Sequence, residues 1–461
     1  MPRILRSRGR RLSVLTIVAA ATAVGLVGCS ASSGTPSKSG APSGSVSYWY
    51  ALEDNSVKAK QEYIKYNVTA FTNQNPKVTL NAVEKSPSTI DRSIQVALAA
   101  GQGPDIIQTP GTSNAIPYAE AGYLQDLTKE AKAQDWSSKL LPWAETAGVV
   151  KGKFVMIPQY YETLVLYYNK TLFKKYGWAP PKSRAQLDKL AKEMEAKGVI
   201  PFAAGNASYQ PASEWLVSAF MNEVAGPDNI YDALTNKTQW TAKPFADSIN
   251  LLKKYFDEGY FQGGAKQYFS TTDPQKFTDL ADGKAGMYIS GSWDVSSMPT
   301  YFGANGNKDT WDWAPLPSLE KGIPQAYPLS VGGTLSVNSK SSNPNAADAY
   351  LNWIMTDTKD MWAQAAATGQ EPLPIKFKPS DIPKSIDPRY ARIYTSLQSA
   401  PVVGYTTWTS WGGGADTYIV ANIDKVINGN MTTDAFLQGV EAAFKSDYSK
   451  GLVPPPFKPE S

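Results

Sequence analysis

Histidine is absent from this 461-residue chain, and cysteine occurs once, at Cys29. Without an imidazole, neither a Ser-His-Asp nor a Cys-His catalytic arrangement can be assembled, and one cysteine with no histidine cannot build a zinc site. Any bond-breaking chemistry would fall to carboxylates, tyrosine or lysine. A phosphate cradle is lacking too: "GGGAD", at Gly412–Asp416, has neither the Walker lysine nor the Rossmann spacing. "SGSWD" does not follow the nucleophile-elbow pattern. No internal repeat recurs, and beyond residue 28 there is no second long apolar run.

What is present at the start is a leader. "MPRILRSRGRRLSVLTIVAAATAVGLVGCS" has five arginines, an apolar run shorter than the ~20 residues a spanning helix needs, and then small residues before Cys29. This is the order of a secretory signal peptide, expected over residues 1–28. A small-residue pair followed by cysteine resembles the lipobox of bacterial lipoproteins, which implies cleavage before Cys29 and lipidation of that residue. The Arg10-Arg11 pair leaves twin-arginine export open beside the general route. The leader carries five basic residues and no acid, so its removal leaves 40 basic against 41 acidic residues and takes the formal charge from +4 to −1. No basic arm or basic face remains, and nucleic acid is not an expected partner.

Residues 29–45, from the cysteine through "SASSGTPSKSGAPSGS", are small and turn-forming and read as a flexible tether reaching roughly 20–25 Å. The body that follows, about 410 residues, exceeds what one core usually serves, so two domains are expected. Its patterns alternate. "SVSYWYAL", "KVTLNAVE" and "PDIIQT" read as strands, while "KAKQEYIKYNVTAFTNQN" and "TIDRSIQVALAAGQG" read as amphipathic helices. A second block adds helices at "SRAQLDKLAKEMEAKG", "SEWLVSAFMNEVAG" and "FADSINLLKKYFDEG", with strands at "AGMYISGS" and "GGTLSVN". Strands alternating with helices predict an α/β architecture with largely parallel sheets.

Four loops place aromatic rings beside carboxylates. "SYWYALEDN" brings Trp49 next to Glu53 and Asp54, and "IPQYYETLVLYY" places Tyr160, Tyr161 and Glu162 after a proline. "GMYISGSWDV" carries Trp293 and Asp294 where a strand gives way to a loop. "YTTWTSWGGGAD" sets Trp408 and Trp411 against a glycine run. A pyranose offers C–H bonds that pack on a ring face and hydroxyls that bond to carboxylates, each charge-assisted bond contributing about 1.5–3 kcal/mol. Loops at the carboxyl ends of parallel strands are where open α/β sheets bind ligands.

Over residues 46–444 the chain resembles the extracellular solute-binding proteins of carbohydrate ABC transporters, the maltose-binding-protein-like group. The stretches that carry the resemblance are "GQGPDIIQ", "IPQYYETLVLYYNKTLFKKYGWAPPKSRAQL", "GKAGMYISGSWD", "VGGTLSVNSKSSNPNAADAYLNWIM" and "GNMTTDAFLQGVEAAF". The resemblance implies a two-lobed periplasmic-binding-protein-like fold with several chain crossovers and a ligand cleft between the lobes. The expected division is residues 46–156 with 330–360 for one lobe and 157–329 with 361–456 for the other. It also implies ligand contacts at Trp49, Glu53, Thr112, Glu162, Gly332, Gly333, Trp408 and Trp411, with Trp293 stacking on a sugar. Asp54, Tyr160, Tyr161, Trp215, Asp294 and Glu371 complete the candidate set. The loop "QTPGTSN" lacks the acidic and basic pair of maltose binders, which argues against maltose specificity.

The function expected is capture of a sugar, with a lean towards a di- or oligosaccharide, and delivery to a membrane permease. The chain would be a monomer, lipid-anchored on the outer face of the cell membrane, with no cofactor, no metal and no catalytic residue. Alternatives are a receptor for a non-sugar solute such as a polyol, a secreted glycoside hydrolase using two carboxylates among Glu53, Asp54, Glu162, Asp294 and Glu371, and a surface adhesin.

Overall fold

The computed structural model describes residues 41–52, 57–86, 89–303, 307–400 and 402–458. The leader, Cys29, Glu53 and Asp54 lie outside them. Strands are β1 (Gly44–Tyr50), β2 (Val78–Glu84), β3 (Ile106–Thr109), β4 (Val149–Val150), β5 (Lys153–Phe154), β6 (Ile157–Asn169), β7 (Ile200–Phe202), β8 (Ala285–Gly291), β9 (Trp311–Ala314), β10 (Tyr327–Val337) and β11 (Val403–Tyr405). Helices fill most of the intervals. The sheet order is β2-β1-β3-β10-β6-β8-β7, with β11 beside β10 and β9 beside β6; β4 and β5 pair separately.

Alternation in β1 sets its two faces. Val46, Tyr48 and Tyr50 are buried on one side, where the Tyr50 ring stacks on Tyr63 at 4.2 Å and the Tyr48 and Tyr63 hydroxyls are 2.7 Å apart. Ser47 and Trp49 point the other way, as the period of two requires. The helices expected from apolar spacing are present at Ile90–Ala99, Arg184–Glu195, Ala212–Phe220 and Lys243–Asp257. Ser183 caps the second of these, its hydroxyl accepting from the Gln186 backbone N–H.

The sheet is mixed rather than largely parallel. β1 runs parallel to β2 and β3, and β7 parallel to β8. Around them β10 is antiparallel to β3 and β6, and β6 is antiparallel to β8 and β9. The cause is the length of β6 and β10. β6 pairs with β10 as far as Thr163, then from Leu164 onward with β8 and β9. One strand thus carries the chain from the β1 side to the β8 side, and β10 brings it back in the opposite direction.

After β10, the helix Pro344–Ile354 packs against Tyr48 and Phe71 through Tyr350, and Phe71 also meets Trp353. The next helix, Thr358–Thr368, stays on that side: Asn67 Nδ2 donates to Gln364 Oε1 at 2.9 Å and Gln74 Nε2 to Asp357 Oδ2 at 3.1 Å. Beyond it, Gly369 lies against Ser296 and the Tyr161 N–H donates to the Pro372 carbonyl at 2.7 Å.

Candidate functional site

A cavity of about 260 Å³ opens beside the two long strands, lined from the β1 side by Leu52, Asp91, Gln108 and Asn114 and from the β8 side by Glu214, Trp215, Lys276 and Trp293. The interiors of β6 and β10 build its floor. Tyr160 sits in β6 with φ of 56°, a left-handed conformation that a bulky residue rarely adopts. Its hydroxyl accepts from Gln108 Nε2 at 3.0 Å. A Cβ at Gly333 would stand 2.8 Å from the Tyr160 ring, and one at Gly332 would coincide with the Glu162 carboxyl group. The paired glycines of "VGGTL" are therefore required by close approach: they let Tyr160 and Glu162 lie flat on β10. Ser330 Oγ donates to Glu162 Oε2 at 2.9 Å and fixes the carboxylate.

The stretch "SGSWD" works by the same device. β8 ends at Gly291, and a Cβ there would enter the six-membered ring of Trp293. With glycine in place, the turn Ser292–Val295 folds the indole back over the strand end. Trp293 then meets Trp215 edge-on at 5.1 Å and Trp408 at 6.2 Å, while Tyr209 stacks on Trp215 at 5.8 Å. Four aromatic side chains form one wall of the cavity. Asp294 turns inward beneath it: Tyr288 Oη and Ser290 Oγ donate to Oδ2 at 2.7 and 2.6 Å. Burial pushes the Asp294 carboxyl up from its ordinary range, against the pull of nearby Lys276.

Behind the wall lies a carboxyl pair. Glu214 and Asp416 are both buried, and Thr407 Oγ1 donates to Glu214 Oε2 at 3.1 Å. Burial and the neighbouring Asp416 charge raise Glu214 well above its ordinary value, and burial raises Asp416 to about 6. Two like charges in a dry site oppose each other's ionisation.

Among the sequence candidates, Tyr160, Glu162, Trp215, Trp293, Asp294, Gly332, Glu371 and Trp408 line this one cavity. Others stand outside the lining. Tyr161 follows Tyr160 in an extended strand and so faces the opposite side, packed between Trp143 and Tyr394. Trp411 is fully buried against Trp240 at 4.8 Å, because the short helix Thr407–Ser410 ends before it and Trp411 itself is extended. Thr112 is buried at the start of the helix Thr112–Glu120. Trp49 lies on the far face of β1 with Lys85 Nζ 4.2 Å from its ring centroid. Gly333 meets the Tyr160 ring rather than the cavity. Asp91, Gln108, Tyr209, Glu214, Asp273 and Lys276 complete the site without having been picked out in the sequence. Gln108 closes the quoted "GPDIIQ" stretch; the rest sit within helices or loops where no local pattern marks them.

Comparison with known proteins gives the architecture a lineage. The chain is 24% identical over 336 residues to the maltotriose-binding protein of Pyrococcus abyssi, covering 72% of this chain and 67% of that one. It is 27% identical over 352 residues to the maltodextrin-binding protein of Bacillus subtilis, covering 74% and 76%. Among solved structures, a chitin oligosaccharide binding protein superposes with a TM-score of 0.75 at 18% identity, over 88% of this chain and 99% of that chain. The fold is the two-lobed α/β fold of those periplasmic binding proteins. Residues 55–361, which hold both long strands and the Gly-x-Trp turn, match the family described as bacterial extracellular solute-binding protein, and it is to this family that the chain belongs.

Proposed function

We propose that the protein captures a sugar, with a di- or oligosaccharide favoured, for import by an ABC transporter. The observation that carries this reading is the pairing of an aromatic wall with fixed hydrogen-bond acceptors in one cavity. Tyr209, Trp215, Trp293 and Trp408 offer apolar ring surface, while Glu162 and Asp294 are held by Ser330, Tyr288 and Ser290. That is the complement of a pyranose, apolar on its faces and hydroxylated at its rim. Relatives named for maltotriose, maltodextrin and chitin oligosaccharide support the same class.

The role is binding, with no bond made or broken. Residues 46–156 with 330–368 form one lobe and 157–329 with the later chain the other, joined through β6, β10 and the 369–372 segment. A solute touching both lobes favours the closed form by its differential affinity for it, and a permease reads that form. The protein acts as a monomer outside the cytoplasm, tethered through lipidated Cys29 by the 30–45 segment. A thermal-shift screen of the purified protein against mono-, di- and oligosaccharides tests the reading. A sugar present at about 100 times its dissociation constant adds about 2.7 kcal/mol of stability. A sugar that raises the melting temperature and is recovered intact supports capture; a sugar that is cleaved, or a response to polyols alone, overturns it.

A further inference from the structure

The charge of the cavity is left unused by a neutral sugar. Among the described residues six carboxylates line it, Asp91, Glu162, Glu214, Asp273, Asp294 and Glu371, against a single cation, Lys276. Lys276 is already engaged, its side chain 3% exposed with Nζ 2.7 Å from Asp273 Oδ1. Several of the acids have local relief: Glu214 accepts from Thr407, Asp294 accepts from two hydroxyls, and Glu162 accepts from Ser330. Asp91 is different. Its Oδ1 is buried with no hydrogen-bond partner among the described residues, and burial alone raises its carboxyl to about 6. A sugar hydroxyl can donate to such a group but cannot neutralise it, and a desolvated carboxylate is costly until a counter-charge arrives.

The facing wall supplies what a cation needs. Ring faces attract ammonium groups within about 6 Å of the centroid. The wall already does so internally, with Lys276 Nζ 5.6 Å from the Trp215 centroid. We infer that the solute is an amino sugar or amino-sugar oligosaccharide, its ammonium paired with Asp91 and its ring seated on the tryptophan wall. This rests on the sugar-binding reading and narrows it.

Matched sugars separate the two. Titration calorimetry at pH 7 compares the purified protein with glucose, glucosamine and N-acetylglucosamine, with the galactose series, and with cellobiose, the β-1,4-linked glucosamine disaccharide and its N-acetylated form. In at least one series the free amine binds about tenfold or more tightly than its hydroxyl and N-acetyl counterparts, a difference of about 1.4 kcal/mol. Asp91→Asn removes most of that preference. Hydroxyl or N-acetyl sugars that bind as tightly as the amine, or better, overturn the inference and leave sugar capture standing. Absence of binding by every sugar overturns both. The wild-type comparison decides the ligand class even where Asp91→Asn fails to fold, and a folded Asp91→Asn variant that keeps the full preference overturns the pairing.

Discussion

Trp293 and Trp411 carry the same ring into opposite surroundings. Trp411 is fully buried against Trp240, so truncation opens a large void in the core. Trp411→Ala is expected to cost about 3–5 kcal/mol of stability, measured by denaturant unfolding. Trp293 is half-buried on the cavity wall. Its replacement by alanine should cost less stability and take its effect on affinity instead. The Glu214–Asp416 pair makes a prediction of its own. Both carboxyls have folded pKa values raised above the unfolded ones, so the folded state holds protons that the unfolded state gives up. The pair's contribution to stability is then greatest in acid and falls as pH rises from about 4 through 6 and beyond. Glu214→Gln removes the Glu214 titration, leaves Asp416 to titrate alone, and should stabilise the protein more at pH 8 than at pH 5, measured by denaturant unfolding at the two pH values. A difference that grows towards acid would contradict the assignment. What the sequence could and could not convey is visible at this scale. Trp293 was legible because a glycine two residues earlier and a strand end fix where its ring goes. Tyr160 and Tyr161 could not be told apart, since adjacent strand residues face opposite ways and only the register decides which one meets the cavity. Asp91 and Lys276 lie on helices far apart in the chain and share one cavity lining only in the fold.

At the scale of elements, the two long strands decide the architecture. Alternating strand and helix patterns revealed the α/β class. The antiparallel pairing of β6 with β10 was not legible, because it depends on contacts between segments more than 150 residues apart. The close approach at this crossing is testable. Gly332→Ala places a methyl group where the Glu162 carboxyl lies, so either the carboxylate or the strand must shift. The expected cost is about 1–3 kcal/mol of stability. A loss of affinity for the bound sugar should accompany it, because Glu162 leaves Ser330. Retained affinity with lowered stability would show that Glu162 serves the fold and not the ligand.

For the whole molecule, the account links one cavity, two lobes and an imported solute. Apolar cores lie on both sides of the crossing strands, and Leu164 and Leu166 of β6 belong to one while Val165 and Tyr167 belong to the other. The partners of β6 change near Thr163 and Leu164, and this is where the strand is expected to bend. Ligand-driven closure about this point should reduce the radius of gyration seen by solution scattering, and a sugar that binds without any such change would argue for a rigid receptor. The most direct measurement is a calorimetric titration of the tightest sugar into wild-type protein and Trp293→Ala. The account predicts an affinity loss of about a hundredfold or more, about 2.7 kcal/mol, with the melting temperature of the empty protein changed by only a few degrees. An unchanged dissociation constant in Trp293→Ala would place the solute elsewhere and contradict the site.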